Sequence, residues 1–154
     1  MHTKWQPLTP DLFTALREYK TNSFIFSPLG VNDIDQDYEA VMTSAIRLKG
    51  TFDFFPDWPT ADLTKDEDLS NLGWHQTEFS MKTSFAYKIT AENNNDYVGC
   101  AYIFPSNNPN FEVDAYLWVK NSYEAVEAKL RQDFKQWLEK DWPFKKINFP
   151  GKTK

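Results

Sequence analysis

Residues 84–140 constrain the fold more than any other part of this chain. Three strand-like segments, joined by short polar connectors, run straight into a long amphipathic helix. Over 84–90, Phe85, Tyr87 and Ile89 alternate onto one face, as in a half-buried strand. The connector 91–96 leads to a second apolar segment, 97–105, and the Asn- and Pro-containing turn 106–110 to a third, 112–120. Connectors of this length suit hairpins and are too short for crossovers, so the three strands are expected as consecutive antiparallel neighbours. On the third, Val113, Ala115, Leu117 and Val119 point one way, and Glu112, Asp114, Tyr116 and Trp118 the other. The helix 122–140 follows, with Val126, Leu130, Phe134, Trp137 and Leu138 as its buried stripe and a capping box expected at Asn121 and Glu124. Where a strand's C-terminal end meets a helix N-terminus, backbone N–H groups and the helix dipole favour an anion. Here that junction is Val119-Lys120-Asn121-Ser122.

The rest of the chain supplies further elements. Thr9, Pro10 and Asp11 read as the N-cap, first position and first turn of a helix, with Leu12, Phe13, Leu16 and Tyr19 along one side, giving an N-terminal helical extension within residues 1–22. A short strand is expected at 24–26. A helix then opens at Asn32 or Asp33, carries Ile34, Tyr38, Val41, Met42, Ala45 and Leu48 at helical spacing, and ends at Gly50. Residues 51–62 show no clean period, and their Pro and aromatic content predicts an ordered loop packed by ring contacts. Thr64 and Glu67 match a capping box for a helix with Leu69, Leu72, His75 or Gln76, and Phe79 inward. A last short strand is expected at 146–149. The order is α, β, α, loop, α, β, β, β, α, β, in a single α+β domain over residues 1–154.

Composition narrows the function. The net charge is −5, and acidic residues concentrate in 33–39 and 57–68; no basic patch with interleaved aromatics points to nucleic acid. No apolar run approaches the roughly 18 residues of a membrane span, and the N-terminus lacks the apolar core of a secretion signal, so a cytoplasmic protein is expected. The single cysteine, Cys100, cannot form an internal disulfide or a cysteine metal cluster and reads as a core thiol. His75 and Glu78 lie one turn apart. They read as a base with its orienter, as one half of a metal site, or as a packed or capping histidine. A metal site needs further ligands, and the other histidine, His2, lies near the terminus, so no metal site is expected.

The element order resembles the GNAT N-acetyltransferase superfamily. Residues 24–35 resemble that family's opening strand, Pro-containing turn and first helix; 97–103 resemble its hydrophobic-Gly-x-hydrophobic third strand; and 115–120 resemble its fourth strand, the acetyl-CoA platform. The resemblance, over roughly residues 24–150, implies a central mixed, mostly antiparallel sheet flanked by helices. It also implies transfer of an acetyl or other acyl group from acetyl-CoA or another acyl-CoA to an amine, on a small molecule or a protein. A homodimer is left open. Residues implied to hold the cofactor are Leu117, Trp118, Val119, Lys120, Asn121, Ser122 and Tyr123, with an oxyanion-binding amide around 117–119.

Two features depart from the family. The Gln/Arg-x-x-Gly-x-Gly/Ala loop after the fourth strand is absent, since 120–128 contains no glycine, and glycines let backbone approach phosphate closely. The family's last helix and strands have no counterpart in 151–154. Acyl transfer to an amine needs a base and an oxyanion donor. Asp114 and Tyr116 share a strand face and are the candidate base and proton donor; alternatively that face packs a helix, with Asp114 hydrogen-bonded near the sheet edge. The alternative to an acyltransferase is a non-catalytic GNAT-like domain that binds a small molecule or a protein. A ketosteroid-isomerase-like enzyme fits the strand order less well.

Overall fold

The computed structural model describes residues 6–150. Its strands are β1 (Tyr19–Lys20), β2 (Phe24–Pro28), β3 (Phe85–Ala91), β4 (Tyr97–Pro105), β5 (Val113–Val119) and β6 (Ile147–Asn148). The helices are α1 (Ile34–Thr43), α2 (Ala45–Leu48), α3 (Lys65–Met81) and α4 (Glu127–Asp141), with 3-10 turns at Val31–Asp33 and Asn121–Val126. All six strands form one sheet in chain order, antiparallel except for the parallel β5–β6 pair. The three central strands are consecutive antiparallel neighbours, as their short connectors predict.

Two apolar layers sandwich the sheet. On one face α4 sets Leu130, Phe134, Trp137 and Leu138 against Phe26, Phe85, Tyr87 and Ile89. On the other, Val41, Leu48, Leu72 and the loop rings Phe52 and Trp58 cover Ala86, Cys100, Tyr102, Phe104, Tyr116 and Trp118. The alternation read along β5 holds: Val113, Ala115, Leu117 and Val119 join the first layer, Tyr116 and Trp118 the second.

The capping box of α3 forms as expected. Thr64 Oγ1 accepts from the Glu67 N–H at 3.1 Å, and Glu67 Oε1 accepts from the Thr64 N–H at 2.8 Å. The α1–α2 segment is helical but breaks at Ser44. In α3, Leu72 and Phe79 are buried as expected, whereas Leu69 is exposed.

Two expectations are corrected. The N-terminal helical extension over 1–22 is not a helix among the described residues: 6–18 runs as turns and irregular chain into β1. Tertiary bonds override the cap signal there. Leu8 N–H donates to the Lys82 carbonyl and the Tyr87 hydroxyl to the Leu16 carbonyl. Leu8, Phe13, Ala15 and Tyr19 pack on the core while Leu12 stays 98% exposed, a pattern that a single helix stripe does not produce. Residues 1–5 of that extension lie outside the described residues. The capping box at Asn121 and Glu124 is also absent. The chain makes a 3-10 turn over Asn121–Val126, and α4 starts at Glu127 with no side-chain cap.

One irregularity matters for the site. Between β3 and β4 the register shifts, with Ile89 opposite Gly99 but Thr90 opposite Tyr97, leaving Val98 as an extra residue on β4. Such a bulge breaks the period-2 alternation. Tyr97 and Cys100 therefore lie in the same layer, with Val98 in the opposite one.

Candidate functional site

The strand–helix junction is held by side chains from α1 and α2. Arg47 donates through Nε to Asn121 Oδ1 at 2.7 Å, through Nη1 to Glu127 Oε1 at 3.0 Å, and through Nη2 to the Val119 carbonyl. The Asn121 N–H donates to Ser44 Oγ at 2.9 Å and its Nδ2 to the Thr43 carbonyl. Within the turn, the Tyr123 N–H donates to the Lys120 carbonyl and the Glu127 N–H to the Glu124 carbonyl. The junction expected to favour an anion thus runs into a six-residue 3-10 turn, Asn121–Val126, whose own i→i+3 bonds use the N–H groups beyond its first residues.

The remaining sequence-derived cofactor residues are divided. Leu117, Trp118 and Val119 are fully buried, at 0–1% exposure. Trp118 Nε1 donates to the Tyr102 hydroxyl at 2.8 Å. Lys120 pairs with Asp96 at 3.1 Å and lies over the Tyr123 ring, and the Tyr123 hydroxyl donates to Asp96 at 2.8 Å. The Tyr123 bond above all holds the Asp96 carboxyl below its ordinary range; burial opposes it, and Lys120 adds to the lowering. Ser122 is exposed. Beside Tyr123, a groove of about 290 Å³ runs along Asn22–Phe24 and Ala91–Asn94.

Asp114 and Tyr116 share a face, as alternation requires, but each has its own partner. Asp114 Oδ1 accepts from Asn148 Nδ2 at 3.0 Å, where β5 still ladders with β6. The Tyr116 hydroxyl donates to Asp53 at 2.6 Å, and its ring packs against Phe52, Phe54 and Phe104. Burial first, and Asp53 second, push the Tyr116 phenol well up, so it remains a proton donor. The His75–Glu78 pairing does not form. Glu78 accepts from Thr83 Oγ1 at 2.6 Å, while the His75 ring packs against Trp74, Tyr102 and Phe104. Among the described residues no group of three or more metal-ligating side chains is gathered.

A second polar cluster escaped the sequence reading. Asp37 and Asp68, each 3% exposed, meet beneath α1 and α3. Asp37 Oδ1 accepts from the Tyr97 hydroxyl at 2.5 Å and from the Cys100 thiol at 3.5 Å. Burial raises both carboxyls, Asp68 to about 9, and lifts the thiol of Cys100 well above its ordinary value, confirming a core thiol. The signal available in the sequence was weak: Asp37 falls among the apolar positions of its helix, and only the Val98 bulge brings Tyr97 and Cys100 to it.

No family model matches the sequence, and no curated protein is similar to it. Solved structures do match in fold. The ribosomal L7/L12 alpha-N-protein acetyltransferase RimL, in complex with coenzyme A, superposes with a TM-score of 0.61 at 12% identity, over 79% of this chain and 67% of that one. The ribosomal-protein-S5-alanine acetyltransferase of Vibrio fischeri gives 0.62 at 12% identity, over 80% and 67%. The microcin C7 self-immunity acetyltransferase MccE, in complex with acetyl-CoA and AMP, gives 0.60 at 7% identity, over 77% and 64%. The six-stranded mixed sheet with its flanking helices is the GNAT acetyltransferase fold. At the strand–helix junction of this chain, where the sequence leads to an anion being expected, Arg47 lies against Val119, Asn121 and Glu127.

Proposed function

We propose that this chain is a GNAT-fold acyltransferase that moves an acetyl or other acyl group from acyl-CoA to an amine. The supporting observation is the β3–β4–β5 antiparallel unit running into the α4 junction, with β6 parallel to β5 only at Val113 and Asp114, in a fold whose solved neighbours are acetyltransferases. Asp114 and Tyr116 are the proposed base and proton donor, Asp114 lying where the β5–β6 ladder ends. The acceptor is an amine of a small molecule or a protein.

The junction does not fit a pyrophosphate as the resemblance implies. Its first N–H is satisfied by Ser44, and its arginine is engaged by Glu127, the Val119 carbonyl and Asn121. Glu124 sets a negative charge in the first turn, where a helix start tolerates one anion of its own but that charge repels a second. A weak grip on the nucleotide end is therefore part of the proposal. The same observation favours a second reading, a non-catalytic GNAT-fold domain that binds a small molecule or a protein partner. Calorimetry and thermal unfolding with acetyl-CoA separate them. A ligand at 100 times its Kd stabilises by about 2.7 kcal/mol. Absence of both heat and stabilisation, with no competition by free CoA, sinks the acyltransferase reading and leaves the binding domain.

A further inference from the structure

Between α1, α3 and the aromatic loop lies a cavity of about 50 Å³, its polar wall made by Asp37, Asp68 and His75 and its apolar wall by the rings of Phe52, Trp58 and Tyr102. The exposed Asn71 stands at its mouth. One water fills about 30 Å³, so the space takes a single small head group whose attached chain leaves past Asn71.

Two of the polar atoms on this wall are unsatisfied. Asp68 Oδ2 and His75 Nδ1 are buried with no partner. Burial lowers the His75 imidazole to about 4, so the ring is neutral. The donors that reach the cluster, the Tyr97 hydroxyl and the Cys100 thiol, both come from the sheet and both end on Asp37 Oδ1. Neighbouring cations are engaged elsewhere: Lys65 on Asp35 at 2.5 Å, Lys88 on Asp33 at 2.7 Å. Among the described residues no donor reaches Asp68 Oδ2, and the two carboxyls hold each other through one shared proton. Asp68 hydrogen-bonds Asp37, and the Asp33 charge beyond it further disfavours ionising both.

We propose that this cavity binds a primary ammonium group. Its three N–H donors meet Asp68 Oδ2, the Asp37 carboxyl and His75 Nδ1, and its charge lies against the Trp58 and Tyr102 rings, which attract cations through their faces. Water supplies two donors and no charge, so it satisfies this set less completely. Binding is an exchange: the ammonium enters with its charge, and the proton shared by Asp37 and Asp68 leaves to solvent, so the buried charge changes by nothing. No bond other than hydrogen bonds is made or broken. The site goes beyond the acyl-transfer reading and stands without it, since it requires no acyl donor.

The test is titration calorimetry of the full chain with methylammonium chloride at neutral pH, in two buffers of different ionisation enthalpy. Tetramethylammonium, which has no N–H donor, and sodium chloride at matched ionic strength serve as controls. Saturable binding of methylammonium alone is expected, with about one proton released per site as the carboxyl pair ionises. Asp68→Asn keeps a donor toward Asp37 and removes the exchangeable proton, so this variant folds and loses the binding. Asn71→Leu, which closes the mouth and leaves both carboxyls, weakens it. Heat that never saturates in the native chain, equal binding by tetramethylammonium, or unchanged binding by folded Asp68→Asn overturns the proposal and leaves water in the cavity. No acyl-CoA is present in the experiment, so its failure is distinct from failure of the acyltransferase reading.

Discussion

The guanidinium of Arg47 on α2 hydrogen-bonds the carbonyl of Val119, the last residue of β5, across 72 positions of sequence. Through its other nitrogens it also holds Asn121 and Glu127, so one side chain ties the α1–α2 layer to the start of the α4 layer around the end of the sheet. Arg47→Ala removes the guanidinium from the Val119 carbonyl and from Asn121, and leaves Glu127 with Arg131 alone. Hydrogen bonds involving a charged group contribute about 1.5–3 kcal/mol, reduced here by partial exposure, and urea denaturation should show a loss of about 1–3 kcal/mol. An unchanged midpoint would mean that solvent replaces the arginine at no cost.

Gly99 is needed for β4 to lie against β5. A Cβ at this position would sit 2.0 Å from the Trp118 carbonyl oxygen and 2.8 Å from the Val119 Cα, and neither backbone atom can swing aside as a side chain does. Gly99→Ala should destabilise by at least the roughly 1–3 kcal/mol of an overpacked core, read as a lowered thermal midpoint or loss of soluble protein. A variant as stable as the parent would require the β4–β5 register to differ.

Phe134 is fully buried between Phe26 and Trp137 on the α4 face. Phe134→Ala should cost about 3–5 kcal/mol in equilibrium unfolding. A loss below about 1 kcal/mol would be too small for a buried aromatic and would contradict the docking of α4.

Stability should fall as pH rises above neutrality. Asp68, near 3.9 in an unfolded chain, is pushed up to about 9 by burial and Asp37. The folded state therefore holds a proton that the unfolded state has released. That contribution is complete below the unfolded value and is lost as pH climbs through about 9, with a slope of up to about 1.4 kcal/mol per pH unit. His75 acts oppositely. Lowered to about 4 by burial, it contributes stability above its ordinary imidazole value and loses it as pH falls toward 4. Below about pH 8, where the unfolded Cys100 thiol has not yet begun to ionise, the slope comes from the Asp37–Asp68 pair. The native chain should lose stability from about pH 7 to 8, and Asp68→Asn should lose less. Parallel curves for the two would refute the assignment.

If acyl transfer is the activity, Asp114→Asn should lower turnover by about 10²–10⁴-fold, the contribution of a general base, with little change in acyl-CoA affinity. The Asn148 bond survives, because an amide oxygen still accepts from Asn148 Nδ2, so stability should hardly move. An unaltered pH–rate profile would shift the role to another carboxylate or to water.

Local pattern made part of this protein legible from its sequence. The alternation of Phe85, Tyr87 and Ile89, the short connectors, the Thr64–Glu67 box and the Leu130–Trp137 stripe each depend on residues a few positions apart, whose relative placement the backbone period sets. The antiparallel order of the three central strands and the docking stripe of α4 follow from them, whereas β1 and the parallel β6 pairing do not. The tertiary structure decided what the pattern could not carry. The cap signal at Thr9 lost to bonds from Leu8 and Tyr87 with distant chain, and the α4 start became a 3-10 turn on which Arg47 and Ser44 close. Asp37, Asp68, Tyr97 and Cys100 come together only because one bulge at Val98 reverses the alternation and two helices cross over it. Which face a residue occupies is a short-range property of the chain, whereas which buried polar groups meet depends on how separate elements pack.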